Sequence, residues 1–566
     1  MLTLASISPK KQRLLQQALA DFDARWDEET GLLCSRSEGR ERHATRESAF
    51  YALALLLRQE PGDAARADRI LRSVMALQLL CPGEIWNGTF AESLEDSRPV
   101  RAAVDVSRLT AEARWQGDVI WTRVLSAFAA RLQADPELKN REEELSGLLS
   151  ASLRDVFPVV WETYDPNWRE FIFSTFALIL EEFETLLPAG TVGAMENAAR
   201  EGLSGARFRA ESGLTPLNTN VRVMHVFFFD AFARRFHDEN LRRYAADYAA
   251  RFTEEYLQYR AVAEFNSPTY NGVVLSYTGL LREKGGSPEV RRMGEILEDG
   301  LWRNLADFYN PAMGTLCGPF SRAYGLTMEG TALPLLMYLG LDSLPVDPAP
   351  AFGPETESAG VLCFSEPKIP AEVRPLLTEP RPERQVTCRF RELAERGEPG
   401  DNHSLCTATA WITDRLMLGA MAGSTNTSHQ LHSTVALWRN TFGSVSGLRL
   451  RRSDARGRLR HLRTVFFDTA AEPGRIFGTV RNEAQEPVIC HFEIESPAAA
   501  EGIYREGVWQ ADGLCCRPVL SVLTAEGAER PAEVRPEIKS NQVVWLTVPL
   551  NMGETLKMDL RFSLCE

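Results

Sequence analysis

The sequence predicts an α+β multidomain protein in which an N-terminal (α/α)6 toroid is followed by a C-terminal antiparallel β-sandwich. Apolar residues recur at three- and four-residue spacing up to about residue 340, and at every second position after residue 384. A stretch rich in proline separates the two patterns. The predicted organisation is therefore a toroid over 1–343, a linker over 344–384 and a sandwich over 385–566.

The toroid prediction rests on twelve stretches with helical periodicity. Turn and N-cap signals, such as PGD at 61–63 and DPN at 165–167, separate neighbouring stretches. Stretches that are apolar around most of their circumference, such as YALALLLR, are typical of helices inside a larger assembly. Six αα-hairpins closed in a ring fit this alternation, and an open solenoid is the alternative, although no clear repeat of that type is present. The twelve stretches are 10–22, 46–58, 66–80, 117–133, 143–157, 168–186, 192–204, 220–236, 238–257, 271–283, 289–308 and 328–340.

The sandwich prediction rests on ten short segments with alternating apolar residues, separated by Gly, Asp, Asn and Pro turns. Such a series of short antiparallel strands is typical of a sandwich. The segments are VTCRF, LCTATAWI, RLMLGAM, LHSTVALW, LRTVFFDT, RIFGTVR, PVICHFEIE, VLSVLTA, NQVVWLTVPL and ETLKMDLRFSL.

Length and charge limit the possible functions. A chain of 566 residues is too long for one compact core. Its formal net charge of -14, without a run of Lys and Arg, argues against a nucleic-acid partner. The N-terminus lacks the apolar core of a secretory signal, and no window reaches the roughly 20 apolar residues of a membrane span. We therefore expect a cytoplasmic protein with no membrane partner, whose oligomeric state the sequence does not indicate.

Polar side chains gather at predicted helix entrances, where the loops of a helical ring would surround a cavity. Capping by one Asp or Asn can explain the clusters at 164–170 and 214–220. FNSPTYNG, residues 265–272, offers more hydrogen-bonding side chains than one cap needs, and GPFSRAYG, residues 318–325, encloses polar residues between two glycines. The full set is RHATRES (42–48), CPGEIWNGTF (81–90), YDPNWRE (164–170), LTPLNTN (214–220), and FNSPTYNG with its companion GPFSRAYG.

The segments RESAFYALALLLRQEPGD, YDPNWREF, EFNSPTYNGV and GPFSRAYG, in this order before a β-sandwich, resemble a widespread, poorly characterised bacterial and fungal toroid family. More distantly, the architecture is similar to that of polysaccharide lyases built from a toroid and a sandwich, namely alginate lyase, hyaluronate lyase and heparinase II/III-like enzymes. That resemblance implies β-elimination on a uronate-containing oligosaccharide or polysaccharide, with no cofactor.

The resemblance also implies roles for individual residues. In the lyases an Asn, often with an Arg, neutralises the uronate carboxylate, and a Tyr or His transfers the proton. Here Asn218 or Asn220 would be the neutralising amide, and Tyr270 would carry the proton. Arg322 would bind the carboxylate beside Tyr324, and we expect this Arg to lower the pKa of the tyrosine towards use as a base.

Two other functions remain open. An inverting glycoside hydrolase needs two carboxylates about 6.5–9.5 Å apart, and a non-catalytic glycan-binding protein could retain the same fold. Glu264 directly precedes FNSPTYNG and could serve either chemistry. The hydrolase candidates are Glu84, Asp165, Glu170 and Glu264, and the predicted substrate-binding residues are Trp86, Asn87, Trp168, Asn220, Asn266, His43 and Arg46.

Histidines supply fewer candidates. His225 lies in the apolar run VRVMHVFFF and is interpreted as a core residue, which leaves the proposed lyase without a motif histidine. His403, His429 and His432 lie within 30 residues and are weak candidates for a metal site, because their spacing is irregular. The sequence therefore predicts no metal.

Overall fold

Helices occupy the N-terminal part of the protein and antiparallel sheets the C-terminal part, which is an α+β fold. The structure is a computed structural model. It describes residues 1–37, 40–96, 114–135, 165–212, 217–344, 357–393, 404–426, 429–457, 465–483, 486–505 and 507–565, together with scattered residues between 137 and 152 and residue 459.

Eleven helices lie in the described residues up to Gly340 and correspond to eleven of the twelve predicted stretches. Their ends agree to within four residues, except that the helix Ala189–Ser212 continues well beyond the predicted end at 204. Most of the twelfth stretch, 143–157, lies outside the described residues. The helices are α1 (Pro9–Arg25), α2 (Thr45–Arg58), α3 (Asp63–Ala76), α4 (Arg114–Ala134), α5 (Trp168–Phe183), α6 (Ala189–Ser212), α7 (Thr219–Phe236), α8 (Glu239–Tyr259), α9 (Tyr270–Lys284), α10 (Pro288–Phe308) and α11 (Ala332–Gly340).

The most apolar helices pack against one another in chain order. α2 contacts α5, α5 contacts α7, α7 contacts α9 and α9 contacts α11, while α1 contacts both α11 and α2. α3, α6, α8 and α10 pack against these helices. α2, α5, α7 and α9 are buried along most of their length, whereas α3, α8 and α10 each have one buried face. The helices that are apolar around most of their circumference thus contact one another, which buries their apolar surface. Closure of the helices into a six-hairpin toroid stays a prediction.

Aromatic side chains fill the junction between α5 and α7. The rings of Phe173 and Phe228 are stacked with centroids 5.0 Å apart, and Phe90 lies 5.3 Å from Phe173. Rings of this size bury a large apolar area, so they account for much of the stability at this contact.

Two antiparallel sheets form the C-terminal part. The first has eight strands in the order β18-β19-β13-β10-β9-β8-β7-β6, and the second follows the order β11-β12-β20-β16-β15-β14, with β17 beside β16. β11 lies against β7 and β8 of the first sheet. The strands are β6 (Arg384–Arg391), β7 (Leu405–Ile412), β8 (Leu416–Ala422), β9 (Thr434–Arg439), β10 (Val445–Asp454), β11 (Val465–Glu472), β12 (Arg475–Asn482), β13 (Val488–Glu495), β14 (Ile503–Arg505), β15 (Val508–Ala511), β16 (Leu514–Leu523), β17 (Glu529–Pro531), β18 (Arg535–Ser540), β19 (Val543–Leu550) and β20 (Thr555–Leu564).

Several elements differ from the sequence prediction. A three-stranded sheet, formed by β1 (Trp26–Asp27), β2 (Leu32–Ser37) and β3 (Arg40–Ala44), precedes α2, and a two-stranded ribbon joins β4 (Tyr309–Asn310) to β5 (Thr315–Leu316). These strands are short or highly charged and carry little apolar alternation. Strands β10, β14, β15, β17 and β18 were missed for related reasons, since they are short or rich in charge.

The predicted linker contains two short helices, α12 (Ala359–Leu362) and α13 (Arg374–Thr378), which pack against the larger helices. Residues 359–364 are buried. The domain boundaries proposed from the sequence stay a prediction. Among the described residues, no helix combines the length and hydropathy required to cross a membrane.

We predict that Gly272→Ala destabilises the protein by about 1–3 kcal/mol, because the added methyl group overpacks a tight helix contact. A Cβ at Gly272 in α9 would lie 2.3 Å from the backbone nitrogen of Leu333. Gly193→Ala in α6 is the matched control, since a Cβ there meets nothing within 4 Å. The control should stabilise by up to about 1 kcal/mol through helix propensity. Chemical denaturation measures both, and equal effects of the two substitutions would contradict the packing argument.

Candidate active site

A cavity of about 500 Å³ lies at the N-terminal ends of α2, α5, α7, α9 and α11. The loops that enter these helices therefore supply much of its wall. Its chemistry-bearing side chains are Arg25, Arg42, Arg46, Glu47, Glu92, Asp165, Asn167, Trp168, Asn220, Thr269, Tyr270, Ser276, Tyr277, Arg322, Tyr324, Glu357 and Ser358.

Tyr270, Arg322 and Tyr324, three of the catalytic candidates from the sequence, lie together on one side of this cavity. The guanidinium carbon of Arg322 lies 4.4 Å from the centre of the Tyr270 ring. The rings of Tyr270 and Tyr324 have centroids 5.6 Å apart. Tyr270 is 7% exposed and Tyr324 is 66% exposed, so the pair joins a buried phenol to one in contact with solvent.

Arg322 lowers the pKa of Tyr270, as expected from the sequence, but burial outweighs this effect and the net shift is upward. Burial raises the pKa of the Tyr270 phenol well above its ordinary value, Arg322 opposes this shift, and Tyr324 and Glu264 add to it. The Tyr270 hydroxyl donates to Oε1 of Gln430 at 3.3 Å. Tyr270 therefore keeps its proton at neutral pH.

Asn220, the second of the two amides proposed from the sequence, lines the cavity. Asn218 does not line it and instead occupies the N-cap position of α7, where its carbonyl oxygen accepts from the amides of Val221 and Arg222. Glu264 is fully buried behind the wall. Its Oε1 accepts from the backbone amide of Asn220 at 3.4 Å and lies 3.6 Å from a guanidinium nitrogen of Arg322. Glu264 therefore links two cavity residues through its carboxylate.

The excess polar side chains of FNSPTYNG mainly connect loops. Ser267 Oγ accepts from the amide of Tyr270 at 3.0 Å, and Thr269 Oγ1 accepts from the amide of Tyr324 at 3.2 Å. Asn266 has a left-handed backbone with φ of 54° and donates through Nδ2 to the carbonyls of Cys317 and Pro319. Asn266, predicted to bind substrate, is buried outside the cavity lining. One side chain of the segment caps the helix, and two others position GPFSRAYG.

The C-terminal sheet also holds this loop. Phe320 and His432 exchange backbone hydrogen bonds, and the amide of Ala323 donates to the carbonyl of Gln430. Arg449 donates to the carbonyl of Tyr324 at 3.0 Å. Sequence reasoning missed Gln430 and Arg449, because nothing local to either residue indicates a contact with a loop more than 100 positions away.

Arg46 and Trp168, two of the substrate-binding candidates from the sequence, both line the cavity, and their binding role stays a prediction. The guanidinium carbon of Arg46 lies 5.0 Å from the Trp168 ring centre and 5.2 Å from that of Phe171. Arg46 also donates to Glu47 Oε1 at 2.6 Å. The cation–π contacts and this ion pair fix the guanidinium at the wall.

Acidic side chains gather on other parts of the wall. Burial raises the pKa of Glu92 and Asp165, and each of these carboxyls has a further acidic neighbour. Burial, with Glu47 nearby, raises the pKa of Glu357 to about 7 although Arg25 lies 2.5 Å away. The sequence prediction missed Glu357, which lies in the proline-rich linker without a recognisable motif.

Three predicted substrate-binding residues lie elsewhere. Trp86 packs in a small apolar cluster with Leu79 and Ile85. Asn87 is buried, and its Oδ1 accepts from the amide of Cys81 at 2.7 Å. His43 pairs through Nδ1 with Glu95 and has Nε2 3.2 Å from Asp27 Oδ2, so its ring is held by carboxylates outside the cavity lining.

The other hydrolase candidates divide in the same way. Asp165 lines the cavity and Glu84 does not. Glu170 is fully buried beside Arg169, and Nδ1 of His225 lies 3.9 Å from Glu170 Oε1. His225 is buried in α7 and its pKa is lowered by burial, which agrees with the interpretation of a core histidine.

The histidines considered for a metal site do not form a cluster in the described part of the chain, where no group of three His, Cys, Asp or Glu side chains could hold a metal ion. His432 is buried and lies with Nε2 3.0 Å from the carbonyl of Ala323. Burial, followed by Arg449 and Arg451, lowers its pKa well below the usual range. His403 lies outside the described residues.

We predict that Glu357→Gln makes the protein less sensitive to pH between about 4.5 and 7. The folded-state pKa of about 7 exceeds the ordinary 4.5, so the stabilising effect of the neutral carboxyl is complete below pH 4.5 and is lost as pH rises through 7. Above pH 7 the variant should exceed wild type in free energy of unfolding by up to about 3 kcal/mol. Denaturation across this pH range measures the difference, with Glu254→Gln on the exposed face of α8 as control. Parallel pH curves for Glu357→Gln and wild type would contradict the prediction.

Comparison with known proteins places the helical part in a family. A family model described as "Domain of unknown function (DUF8769)" matches residues 12–111 and 152–339, which is about half of the chain. No curated protein matches the sequence. A solved structure described as the crystal structure of heparinase III aligns with 90% of this chain and 91% of its own length, at 8% identity and a TM-score of 0.33. The chain belongs to the DUF8769 family.

Proposed function

We propose that this protein is a lyase that cleaves uronate-containing oligosaccharides or polysaccharides by β-elimination. The observation that carries the proposal is the meeting of Tyr270, Arg322 and Tyr324 with Asn220 on one cavity. Such an elimination needs a group that neutralises the uronate carboxylate, a base for the proton at C5 and an acid for the leaving oxygen. In this proposal, these four side chains provide the neutralising group, the base and the acid.

Arg322 and Asn220 would bind the carboxylate. A guanidinium can donate two parallel hydrogen bonds to a carboxylate, and an amide can donate to the same oxygens. Glu264 supports both residues from behind, through the Asn220 amide and the ion pair with Arg322. Neutralising the carboxylate makes the C5 proton more acidic, because the negative charge that develops on removing this proton is then stabilised.

The two phenols would divide the proton transfers. Tyr324, the exposed phenol whose ring lies beside that of Tyr270, would act as its phenolate and accept the proton from C5. The electron pair of the C5–H bond forms the C4=C5 double bond, and the C4–O4 bond breaks. Tyr270, which holds its proton firmly, would protonate O4 as it leaves. Proton exchange between the neighbouring phenols would then restore the starting state.

Hydrolysis is the second candidate, because buried carboxyls with raised pKa values line the same cavity. Glu357 and Asp165 are such groups, and a raised pKa suits a general acid at neutral pH. A hydrolase would use one protonated carboxyl as acid and one carboxylate to activate water. It would release reducing ends without forming a double bond.

Incubation of the purified protein with polygalacturonate, alginate, hyaluronan, heparan sulfate and their oligosaccharides tests the proposal. A lyase produces a new ultraviolet absorbance from the conjugated C4=C5 double bond. Arg322→Ala and Tyr270→Phe should each lower kcat/KM by about 10²–10³ or more, since each removes a group that acts in the transition state.

Arg242→Ala is the matched control for the arginine substitution. Arg242 is an exposed residue of α8 that pairs with Glu239 and lies outside the cavity lining. It should leave kcat/KM unchanged. Release of reducing ends without ultraviolet absorbance would favour the hydrolase, and full activity of Tyr270→Phe would exclude Tyr270 as the proton donor.

A further inference from the structure

Residues 357–366, which we name the axial segment, run between α1, α2, α5 and α9, which we name the central helices, from the cavity to the opposite ends of these helices. At the first end, Glu357 and Ser358 line the cavity, and Glu357 pairs with Arg25 at the C-terminal end of α1. Further along, a Cβ at Gly360 would lie 3.5 Å from Leu53, near the middle of α2.

The other end of the axial segment lies far from the cavity. The ring of Phe364 has its centroid 6.3 Å from that of Phe183, the last residue of α5. Lys284, the last residue of α9, lies 5.5 Å from the same ring. Glu366 pairs with Lys11, in the first turn of α1, at 2.5 Å. The axial segment thus passes the full length of the central helices.

Burial indicates that the axial segment fills the space between the central helices. Residues 359–364 are all buried, and α12 packs on both α1 and α2. Glu357, Ser358, Val361 and Leu362 form part of the cavity wall. The cavity therefore has a floor made by the axial segment, whereas exposed Tyr324 marks the side that is open to solvent.

The cavity wall carries charge of both signs, on the axial segment and on α1 and α2. Arg25 pairs with Glu357 and Arg46 pairs with Glu47, and all four side chains face the cavity. Alternating donors and acceptors suit the hydroxyl groups of a sugar, because each hydroxyl both donates and accepts. Ser358 adds a hydroxyl of its own.

The size of the cavity limits what can enter. Its volume of about 500 Å³ lies within the range of about 300–1,000 Å³ typical of pockets that enclose one small ligand. A polymer could not continue along the helices past the axial segment, which lines the cavity through Glu357, Ser358, Val361 and Leu362. A sugar chain that enters in this direction therefore meets the floor with one of its ends.

We propose that the cavity binds the end of a uronate-containing chain and that the protein releases terminal units, with the axial segment as the barrier that sets this specificity. This inference deepens the proposed lyase function and rests on it for the bond that is broken. End recognition itself is a property of the cavity shape and can be measured without turnover.

The first test measures, by calorimetry, the binding of oligogalacturonates of increasing length and of polygalacturonate to the Tyr270→Phe protein. End recognition predicts a dissociation constant that is unchanged when expressed per chain. Binding within chains predicts a dissociation constant that is constant per sugar unit and would overturn the inference. The same series should be run with every uronate that the wild-type protein is found to bind.

The second test is Ser358→Trp, which fills the floor of the cavity, with Lys368→Trp as control. Lys368 is an exposed residue that follows the axial segment and lies outside the cavity lining. Filling the floor should weaken binding by about tenfold or more, since the terminal sugar loses its place. Unchanged affinity in a folded Ser358→Trp protein would overturn the inference. The chain-length series requires no floor substitution, so it decides the question if this variant does not fold.

Product analysis separates the two proposals. A single small unsaturated product from the first minutes, with slow loss of viscosity, supports both the lyase function and end recognition. A ladder of unsaturated products with rapid loss of viscosity supports the lyase and overturns end recognition. End-type binding without any ultraviolet absorbance supports end recognition and contradicts the lyase.

Discussion

The site depends on one contact between the two parts of the protein, the paired backbone of Phe320 and His432. These residues exchange hydrogen bonds between a loop of the helical part and the entrance to β9 in the sheet part. The pairing lies between Asn266, which holds the loop from the helical side, and Arg449, which holds it from the sheet side. Buried backbone groups must be paired, so this arrangement leaves the loop little freedom to change its path.

Arg322 and Tyr324 owe their positions to that loop. Both follow Phe320 closely in the chain, and both line the cavity. Tyr270 lies at the N-terminal end of α9, and its hydroxyl donates a hydrogen bond to Oε1 of Gln430 in the sheet part. The sheet part therefore contacts the cavity residues directly, through the side chains of Gln430 and Arg449 and through several backbone groups.

Charge in the cavity is largely compensated in pairs. Arg25 faces Glu357, and Arg46 faces Glu47, at distances short enough for direct hydrogen bonds. Such pairing reduces the cost of placing charged groups in a partly buried site. Arg322 differs, because its carboxylate partner Glu264 lies at 3.6 Å behind the wall and the guanidinium faces the cavity. This geometry is compatible with the carboxylate binding proposed for Arg322.

The sequence by itself determined the order of eleven helices and ten strands, and it singled out Tyr270, Arg322, Tyr324 and Asn220 as candidate site residues. Periodicity and turn signals are local, so they can be read from neighbouring residues. The same local patterns predicted that Asn266 binds substrate, whereas its amide donates to backbone carbonyls. The sequence of a polar loop does not distinguish these two uses of an asparagine. Tertiary structure decided such cases by packing FNSPTYNG against GPFSRAYG.

Tertiary structure alone decided the pKa of Tyr270 and the floor of the cavity. The first reflects burial, which outweighs the nearby Arg322 and depends on every atom around the phenol. The second reflects the path of residues 357–366 between helices that are distant in sequence. Local sequence patterns indicate neither the pKa of Tyr270 nor the position of the floor, because both arise from contacts between segments separated by dozens to hundreds of residues.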